Sequence, residues 1–403
     1  DPAHAIAPEG MQTAALVAMV NNDAAMGRLA LRHALAAMHC THWEDSFMST
    51  HPATLWDHRA FTAMTWQEAV LRTFDWAGAL LTEAGRELVA RSISRKVMPR
   101  VDLSLRKYAY MRGNNQGMYF GWAGVLGACA LGRLLPRGDD ALETYLEVLR
   151  ESVSSYFLPD GGADEGPGYH DKSCGRAIEG FVVAARYRGE PETALVPEEL
   201  LRAPNYYRHV VSTVRPSGYV SVADGGGQGN NRAYEGAIPR LARLTSDPTV
   251  CRIAAALTRP DEADRVPGAL AQLTEGPDAL PAESPTPVAF GILPDTGMLC
   301  SCRPTPHGPV RAQLIGAKAR AGHSHEDKGS FILEAFGEDL LIDRGICFYG
   351  DARSDLLKQA CMHNMLTPDD DEGQPMRQRN PLPESVIPTG RGDEQSLEAA
   401  VDH

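Results

Sequence analysis

The sequence has no excess of positive charge and no long apolar run, and these two absences exclude two classes of protein. Its 52 acidic residues outnumber its 39 basic ones and give a formal net charge of −13, whereas a protein that binds nucleic acid normally presents a basic surface. No apolar run reaches the roughly 18 residues that a membrane-spanning helix needs. We therefore expect no nucleic-acid partner and no membrane span.

The cysteines also lack the spacing that is typical of a disulfide scaffold. All eight are scattered, and none forms a Cys-X-X-Cys motif, so their redox state stays open. The sequence begins at Asp1 without a methionine or an apolar leader segment, so removal of a signal peptide and a start within a longer chain both stay open. A periplasmic or secreted location is favoured.

The apolar pattern divides the chain into a helical part and a β-rich part. At 403 residues the chain is long for one hydrophobic core, so we expect two domains. Apolar residues recur at helical spacing through residues 1–266, which we predict as a helical domain. Closely spaced prolines mark residues 267–290 as a linker. Short strands separated by glycine, proline or charge predict an antiparallel β domain over residues 291–403.

Local patterns predict where particular elements begin and end. Thr65 and Glu68 have the spacing of a capping box, which predicts a helix that starts at Thr65, and Thr82 is a second predicted N-cap. The pair Gly337-Glu338 between two strand-like runs predicts a tight hairpin. The side chains that form one predicted apolar helix face are Leu142, Tyr145, Leu146, Leu149, Val153 and Tyr156.

Two polar, glycine-rich loops in the helical part are predicted to have a function beyond connecting helices. The first loop is Arg112-Gly-Asn114-Asn115-Gln116-Gly117. Asparagine is a good helix cap, and an amide at a helix N-terminus can also hold a carboxylate. The second loop contains Asp160, Asp164, Glu165, Tyr169 and His170. Its glycines let a ligand approach the backbone closely.

A pair of histidines, His323 and His325, stands in the predicted β domain. Residues two apart on a strand point the same way, and Asp343 and His363 follow further along the chain. Histidine and aspartate are ligand types that zinc accepts. The segment therefore predicts a metal site, with a polar loop that carries surface histidines as the alternative.

The order of these motifs resembles that of the heparinase II/III-like superfamily of polysaccharide lyases, which includes the oligoalginate lyases. The shared order is Asn-Asn-X, Asp-Gly…Glu-Gly-X-X-Tyr, His-X-His-X-Asp, Asp-X-Gly and His-Asn, across most of residues 40–370. The resemblance implies an incomplete (α/α) toroid followed by a C-terminal antiparallel β-sandwich, here truncated or incomplete. It also implies cleavage of an anionic, uronic-acid-containing polysaccharide by β-elimination in the cleft between the domains.

The resemblance further implies roles for particular residues. Asn115 would neutralise the substrate carboxylate, Tyr169 would be the general acid and in some members also the base, and His323 would be the catalytic histidine of the β domain. Further substrate-binding candidates are Arg112, Asn114, Gln116, Glu165 and Tyr349. The implied ligands of a structural zinc ion in the β domain are His325, Asp343 and His363.

Three features depart from the family pattern, of which Met365 in place of the threonine of the common His-Asn-Thr is a mild one. Gln116 stands where many members have a histidine, which favours a mechanism carried by Asn115, Tyr169 and His323. The β domain is also shorter than is usual in the family.

Two other functions stay open as alternatives. One is a glycoside hydrolase with two carboxylates drawn from Asp160, Asp164 and Glu165, and the other is a non-catalytic carbohydrate-binding homologue. For a lyase, the polymer is open between heparin or heparan sulfate, hyaluronan or chondroitin, and alginate, with the glycosaminoglycans favoured.

Overall fold

In a computed structural model, the chain forms two compact units. The described residues are 8–41, 43, 60–107, 109–134, 140–215, 218–224, 237–257, 288–316, 322–347, 351–378, 389–392 and 397–400. One unit comprises Asp1–Ser152 and Glu179–Leu195, and the other comprises Val153–Ile178 and Val196–His403. The division into units thus falls within the helical region, and the domain limits at 266 and 290 stay predictions.

Helices account for most of the described residues up to Leu257, as the sequence predicts. They are α1 (Pro8–Asn21), α2 (Ala24–His39), α3 (Phe61–Ala77), α4 (Glu83–Ser92), α5 (Met98–Lys107), α6 (Asn115–Leu134), α7 (Asp140–Tyr156), α8 (Pro167–Arg188), α9 (Glu198–Leu201), α10 (Ala203–Val210), α11 (Ala237–Thr245) and α12 (Pro248–Leu257). Tighter or wider turns connect some of them at Gly78–Leu80, Ile93–Val97 and Ala109–Gly113. No helix in the described part of the chain has both the length and the apolar character to cross a membrane.

The predicted N-cap at Thr82 is confirmed, and the one at Thr65 is wrong. Thr82 accepts a hydrogen bond from the Gly85 backbone N–H at 3.3 Å, directly before α4. Helix α3 begins one turn earlier than predicted, at Phe61, and the Thr65 hydroxyl donates to the Phe61 carbonyl at 3.0 Å. A threonine hydroxyl makes this bond inside a helix, so its spacing from Glu68 does not mark a helix start here.

The predicted apolar face of α7 is buried, and glycines of α6 lie against it. A Cβ added at Gly124 would lie 2.2 Å from Cδ1 of Tyr145, and one at Gly121 would lie 3.1 Å from Cδ1 of Leu149. Any larger side chain at position 124 would displace the Tyr145 ring. The close approach of α6 to α7 within the first unit therefore depends on glycine.

The second unit contains a five-stranded antiparallel sheet whose strands lie in chain order. They are β1 (Phe290–Leu293), β2 (Met298–Arg303), β3 (Val310–Ile315), β4 (Phe331–Ala335) and β5 (Glu338–Leu341). Helix α13 (Ala352–Leu357) and a turn at Ala360–Met362 follow, and β6 (Thr389–Gly392) pairs with β7 (Leu397–Ala400) as a separate antiparallel pair. The predicted antiparallel β region after the helices is confirmed.

Buried polar side chains join the sheet to the end of α10 within the second unit. Glu334 of β4 accepts a hydrogen bond from Ser212 Oγ at 2.6 Å and from the backbone N–H and hydroxyl of Thr213 at 2.7 and 2.8 Å. Arg311 of β3 donates to the His209 carbonyl at 2.6 Å. A buried charge without partners is strongly destabilising, so these bonds fix the position of the sheet.

The hairpin between β4 and β5 is present, with its turn one residue earlier than predicted. Ala335 pairs with Glu338, which leaves Phe336 and Gly337 as the two turn residues, at φ values of 59° and 81°. Two successive residues with positive φ define a type I′ turn, whose twist matches that of the flanking strands. The sequence correctly predicts Gly337 as a turn residue. Nothing in the sequence indicates the left-handed conformation of Phe336.

His170 anchors the second polar loop within the second unit. Its buried ring lies with Nε2 2.8 Å from the Gly161 carbonyl and with Nδ1 3.3 Å from the Tyr207 hydroxyl. Burial lowers the pKa of His170 to about 4. The imidazole is therefore neutral near pH 7.

We expect His170 to make the protein less stable as the pH falls. A histidine in the unfolded chain titrates near pH 6.5 and the folded one near pH 4, so the unfolded state binds an extra proton between these values. The stabilisation is complete above about pH 6.5 and decreases as the pH falls towards 4, by about 2 kcal/mol at pH 5. Urea denaturation at about pH 7.5 and pH 5 measures this loss.

The variant His170→Gln keeps a donor for the Gly161 carbonyl and removes the titration. Its free energy of unfolding should therefore fall less between the two pH values. His307→Gln, at an exposed position, is the matched control and should behave like the unmodified protein. Equal losses in His170→Gln and in the unmodified protein would contradict the assignment.

Candidate active site

The second polar loop is fixed to the turn between β1 and β2, and this positions Tyr169. Asp160 accepts hydrogen bonds from the backbone N–H and the hydroxyl of Thr296, both at 2.7 Å, and from the Gly162 N–H at 3.1 Å. The Asn205 amide donates to the Asp160 carbonyl at 2.8 Å. Tyr169 follows in the first turn of α8, so its ring extends from a well-anchored backbone.

Glu165 connects this loop to the segment that carries the histidine pair. Its side chain is buried, and a Cβ added at Gly322 would lie 2.4 Å from Glu165 Oε1. Gly322 has a φ of 44°, a left-handed conformation that glycine adopts without strain. The predicted substrate-binding residue Glu165 therefore packs against the backbone directly before His323.

The structure brings Tyr169 and His323 together. Their rings are stacked with centroids 3.7 Å apart and planes 5° from parallel. The phenol and the imidazole come from segments more than a hundred residues apart in the chain, and both belong to the second unit. A phenol and an imidazole in contact form a pair of proton-transfer groups, one suited to act as an acid and the other as a base near neutral pH.

A buried carboxylate, Asp224, fixes the imidazole of His323. His323 Nδ1 lies 2.7 Å from Asp224 Oδ2, and the Asp224 backbone N–H donates to the His323 carbonyl at 3.1 Å. Oδ1 of Asp224 lies 2.9 Å from His325 Nε2 and 2.7 Å from Lys358 Nζ. Burial raises the pKa of the Asp224 carboxyl, but the hydrogen bonds from its three partners outweigh burial and lower the pKa well below its usual range.

Asp224 and Lys358 were not among the site residues predicted from the sequence. Asp224 is separated from His323 by 99 positions and from Lys358 by 134, and no spacing rule connects residues this far apart. The available signal is that Asp224 directly precedes three glycines at 225–227. An aspartate before glycine is common in turns, so this signal does not reveal its partners.

The segment directly after His323 is buried although every residue in it is polar. Every residue from Ser324 to Lys328 is buried. Arg377 makes a two-pronged ion pair with Glu326 at 2.6 and 2.7 Å, and the Gln378 amide donates to the Lys328 carbonyl at 3.0 Å. The interpretation as an exposed polar loop with surface histidines is therefore wrong for His325.

His325 of this segment forms a group with two buried residues from later in the chain, Asp343 and His363. This group could hold a metal ion. One ligand atom from each lies within 4.8 Å of the others, and the residues are only 1%, 1% and 8% exposed. His325 Nδ1, Asp343 Oδ2 and both ring nitrogens of His363 are buried without a hydrogen-bond partner. Buried lone pairs without partners are costly, and an ion among them would satisfy several at once.

The hydrogen bonds of Asn364, the second residue of the His-Asn motif, fix the position of the neighbouring His363. Its amide donates to the Phe331 carbonyl and to the Ile342 carbonyl, both at 3.0 Å. These bonds attach the segment after the Ala360–Met362 turn to the start of β4 and the end of β5. His363 is thereby held next to Asp343, with His363 Nδ1 3.5 Å from Asp343 Oδ2.

The first polar loop lies in the other unit, at the start of α6. Asn115 is the first residue of the helix and is buried, and Asn114 Oδ1 accepts a hydrogen bond from the Gln116 N–H at 3.0 Å. Arg112 pairs with Glu151 at 2.6 Å. The convergence of Asn115 with Tyr169 and His323 stays a prediction, and Tyr349 lies outside the described residues.

Replacing Asn364 by alanine should destabilise the protein. The substitution removes the hydrogen bonds to the Phe331 and Ile342 carbonyls, and each lost hydrogen bond is worth about 1 kcal/mol. We expect the free energy of unfolding to fall by about 2 kcal/mol in urea denaturation. Asn21→Ala, at an exposed position, is the control and should change it by less than about 0.5 kcal/mol. A loss no larger than that of the control would contradict the role of Asn364.

A comparison with known protein families gives a match in the C-terminal part of the chain. Residues 310–402 match the family model described as Heparinase II/III-like, C-terminal, so the resemblance predicted from the order of the motifs is confirmed. No curated protein sequence matches the chain.

Several solved structures of heparinases have a fold similar to that of this chain. A crystal structure of heparinase III superimposes with a TM-score of 0.63 at 14% sequence identity, covering 96% of this chain and 56% of that one. A second heparinase III gives a TM-score of 0.58 at 12% identity, covering 94% and 56%. A mutant of the heparan sulfate lyase HepC from Pedobacter heparinus gives 0.53 at 13% identity, covering 96% and 56%. The chain thus has the fold of these structures and spans about 56% of their length.

Proposed function

We propose that this protein is a polysaccharide lyase that cleaves uronic-acid-containing polysaccharides by β-elimination. The stacked pair Tyr169 and His323, with His323 Nδ1 bonded to Asp224, is the observation that carries the proposal. The heparinase II/III-like C-terminal match and the heparinase-like fold support the same class of reaction. The substrate is an anionic polysaccharide or oligosaccharide.

In this reaction one proton leaves carbon and one carbon–oxygen bond breaks. His323 takes the proton from C5 of the uronate, the C4–O bond breaks with formation of a C4–C5 double bond, and Tyr169 gives its phenolic proton to the departing oxygen. A neutral imidazole can accept the proton in the first step, and a phenol can donate one in the second. No water enters, which separates this reaction from hydrolysis.

The uronate carboxylate gains negative charge as C5 loses its proton, and this charge needs a donor. We assign this role to Asn115 at the N-terminus of α6, where an amide and the helix dipole both favour an anion. Gln116 takes the place of the histidine that many family members have, so no imidazole from this loop contributes.

The contact between acid and base also indicates which uronate is favoured. Two neighbouring groups act most easily on the same side of a sugar ring, so the C5 proton and the C4 oxygen would depart from one face. These groups are cis in D-glucuronate and D-mannuronate and trans in their C5 epimers, L-iduronate and L-guluronate. We therefore propose glucuronate-containing glycosaminoglycans as the substrate class, with mannuronate polymers as the alternative.

We propose zinc as the ion held by His325, Asp343 and His363, because two imidazoles and a carboxylate are a ligand set that zinc accepts. Zinc would supply structural cross-linking between the segment of His325 and that of His363. No proton-transfer step is assigned to it. The chemistry stays with Tyr169 and His323.

The hydrolase alternative has less support. It needs two carboxylates on either side of the scissile bond, but Asp160 is committed to Thr296 and Gly162 and Glu165 is buried against Gly322. The non-catalytic homologue is distinguished by experiment, since it would bind such polymers without product formation.

Matched polymers that differ at C5 test the reaction and its stereochemistry together. Chondroitin and dermatan form one pair, and polymannuronate and polyguluronate form the other. A lyase with the proposed geometry should raise the ultraviolet absorbance with at least one glucuronate or mannuronate polymer and much less with its epimer. Reducing ends without an absorbance gain would indicate a hydrolase, and neither signal would indicate a binding protein.

Removal of either proton-transfer group should abolish turnover without unfolding the protein. We expect Tyr169→Phe and His323→Ala each to lower kcat by roughly 10²–10⁴-fold, measured as the rate of absorbance gain. Tyr110→Phe, at a tyrosine that is 55% exposed, is the matched control and should keep full activity. Near-normal turnover in either active-site variant, with an unchanged circular dichroism spectrum, would contradict the role of that residue.

Metal removal should lower stability at least as much as turnover. Because an ion that binds only the folded state stabilises it, a chelator should lower the Tm of the purified protein by several degrees. Asp343→Ala should have a low Tm that the chelator does not lower further. An unchanged Tm in metal-free protein would contradict the structural role of the ion.

A further inference from the structure

We propose that Asp224 is a positioning residue that sets the tautomers of two histidines at once, the proton-accepting His323 and the metal-binding His325. The inference rests on the proposed lyase function for His323, and on the proposed metal site for His325. It goes beyond both, because Asp224 is neither a ligand nor a proton-transfer group.

The geometry gives each oxygen of Asp224 a separate imidazole. Oδ2 lies 2.7 Å from Nδ1 of His323 and Oδ1 lies 2.9 Å from Nε2 of His325. A carboxylate only accepts hydrogen bonds, so each of these two ring nitrogens must carry its proton. The acceptor nitrogens are then Nε2 in His323 and Nδ1 in His325.

For His325 this assignment directs the lone pair to the metal group. Nδ1 is one of the buried atoms without a hydrogen-bond partner and lies 4.0 Å from Asp343 Oδ1. A carboxylate that accepts the second N–H of a metal-binding histidine fixes its ring and makes it a better ligand. Asp224 is placed to do this for His325.

For His323 the same carboxylate prepares the ring to take a proton. With Nδ1–H donated to Asp224, the proton from the substrate goes to Nε2, and the nearby negative charge stabilises the imidazolium that forms. Stacking on Tyr169 fixes the plane of the ring. Orientation therefore comes from two contacts, one at the edge of the imidazole and one at its face.

The backbone around Asp224 is as constrained as its side chain. Its N–H donates to the His323 carbonyl at 3.1 Å, and Ala223 directly before it has a φ of 62°. A left-handed alanine is strained, and such strain persists only where surrounding contacts impose it. Lys358 Nζ, at 2.7 and 3.0 Å from the two oxygens, balances the buried charge.

Asparagine at position 224 cannot accept hydrogen bonds from both imidazoles, although it has nearly the same shape as aspartate. Its side chain offers one oxygen and one NH₂ group, so the NH₂ group must face one of the two ring N–H groups. If it faces His325, that ring must move its proton to Nδ1 and lose the lone pair for the metal. If it faces His323, that ring must move its proton to Nε2 and lose its ability to accept one there.

The test compares Asp224→Asn with the unmodified protein, with the exposed Asp371→Asn as matched control. Zinc affinity is measured by competition with a chromophoric chelator, and kcat and KM are measured on the best polymer at saturating zinc. We expect zinc affinity to fall by about 10- to 100-fold, or kcat to fall by roughly 100-fold with KM nearly unchanged, or both. Changes below tenfold in both zinc affinity and kcat, in a folded variant, would overturn the proposal.

Histidine ¹⁵N NMR of the unmodified zinc-bound protein decides the question even if Asp224→Asn does not fold. The expected spectrum shows His323 protonated at Nδ1 and His325 protonated at Nε2 with Nδ1 on the metal. Protonation of His323 at Nε2, coordination of His325 through Nε2, or failure of zinc to bind would overturn the proposal. The spectrum and the zinc affinity need no substrate, so absence of lyase activity would refute the proposed function without affecting this assignment.

Discussion

The burial of one polar segment, from Ser324 to Lys328, constrains everything around the candidate site. Histidine, glutamate, aspartate and lysine side chains lose their water there, and without partners each would destabilise the fold by several kcal/mol. His325 and Glu326 find their partners in distant parts of the second unit, at Asp224 and Arg377. The contacts that keep this segment folded thus also orient His325.

Two histidines only two residues apart have different surroundings, and the functions proposed for them differ accordingly. His325 is fully buried and faces Asp343, whereas the His323 side chain keeps 22% of its surface exposed and stacks on Tyr169. Exposure allows His323 to meet a substrate, and burial suits His325 to a structural ion. Asp224 touches both rings, so the proposed metal site and the proposed proton-transfer pair share a single carboxylate.

Several local features of this fold were predictable from sequence, two local details were not, and the long-range contacts were not. Helical periodicity identified the buried face of α7, because an amphipathic helix repeats its apolar positions in sequence. Thr65 failed as a helix start because its hydroxyl bonds within a helix that has already begun. The hairpin turn shifted by one residue because Phe336 adopts a left-handed φ for which its side chain gives no signal.

The candidate site shows the same division. His325, Asp343 and His363 were proposed as one group from the family motif, and the structure places their ligand atoms together. Asp224 belongs to no motif, and only the fold shows that it lies between the two histidines. Long-range pairing of this kind depends on the register of the sheet and on the path of the loops, neither of which a single sequence specifies.

If Tyr169 and His323 act together on one uronate, a crystal structure of the Tyr169→Phe variant with a bound uronate oligosaccharide should show both residues at that sugar. We expect one uronate with C5 about 3–3.5 Å from His323 Nε2 and with the C4 oxygen beside the phenyl ring edge from which the hydroxyl was removed. A sugar bound with C5 far from His323, or on a surface that neither residue reaches, would contradict it.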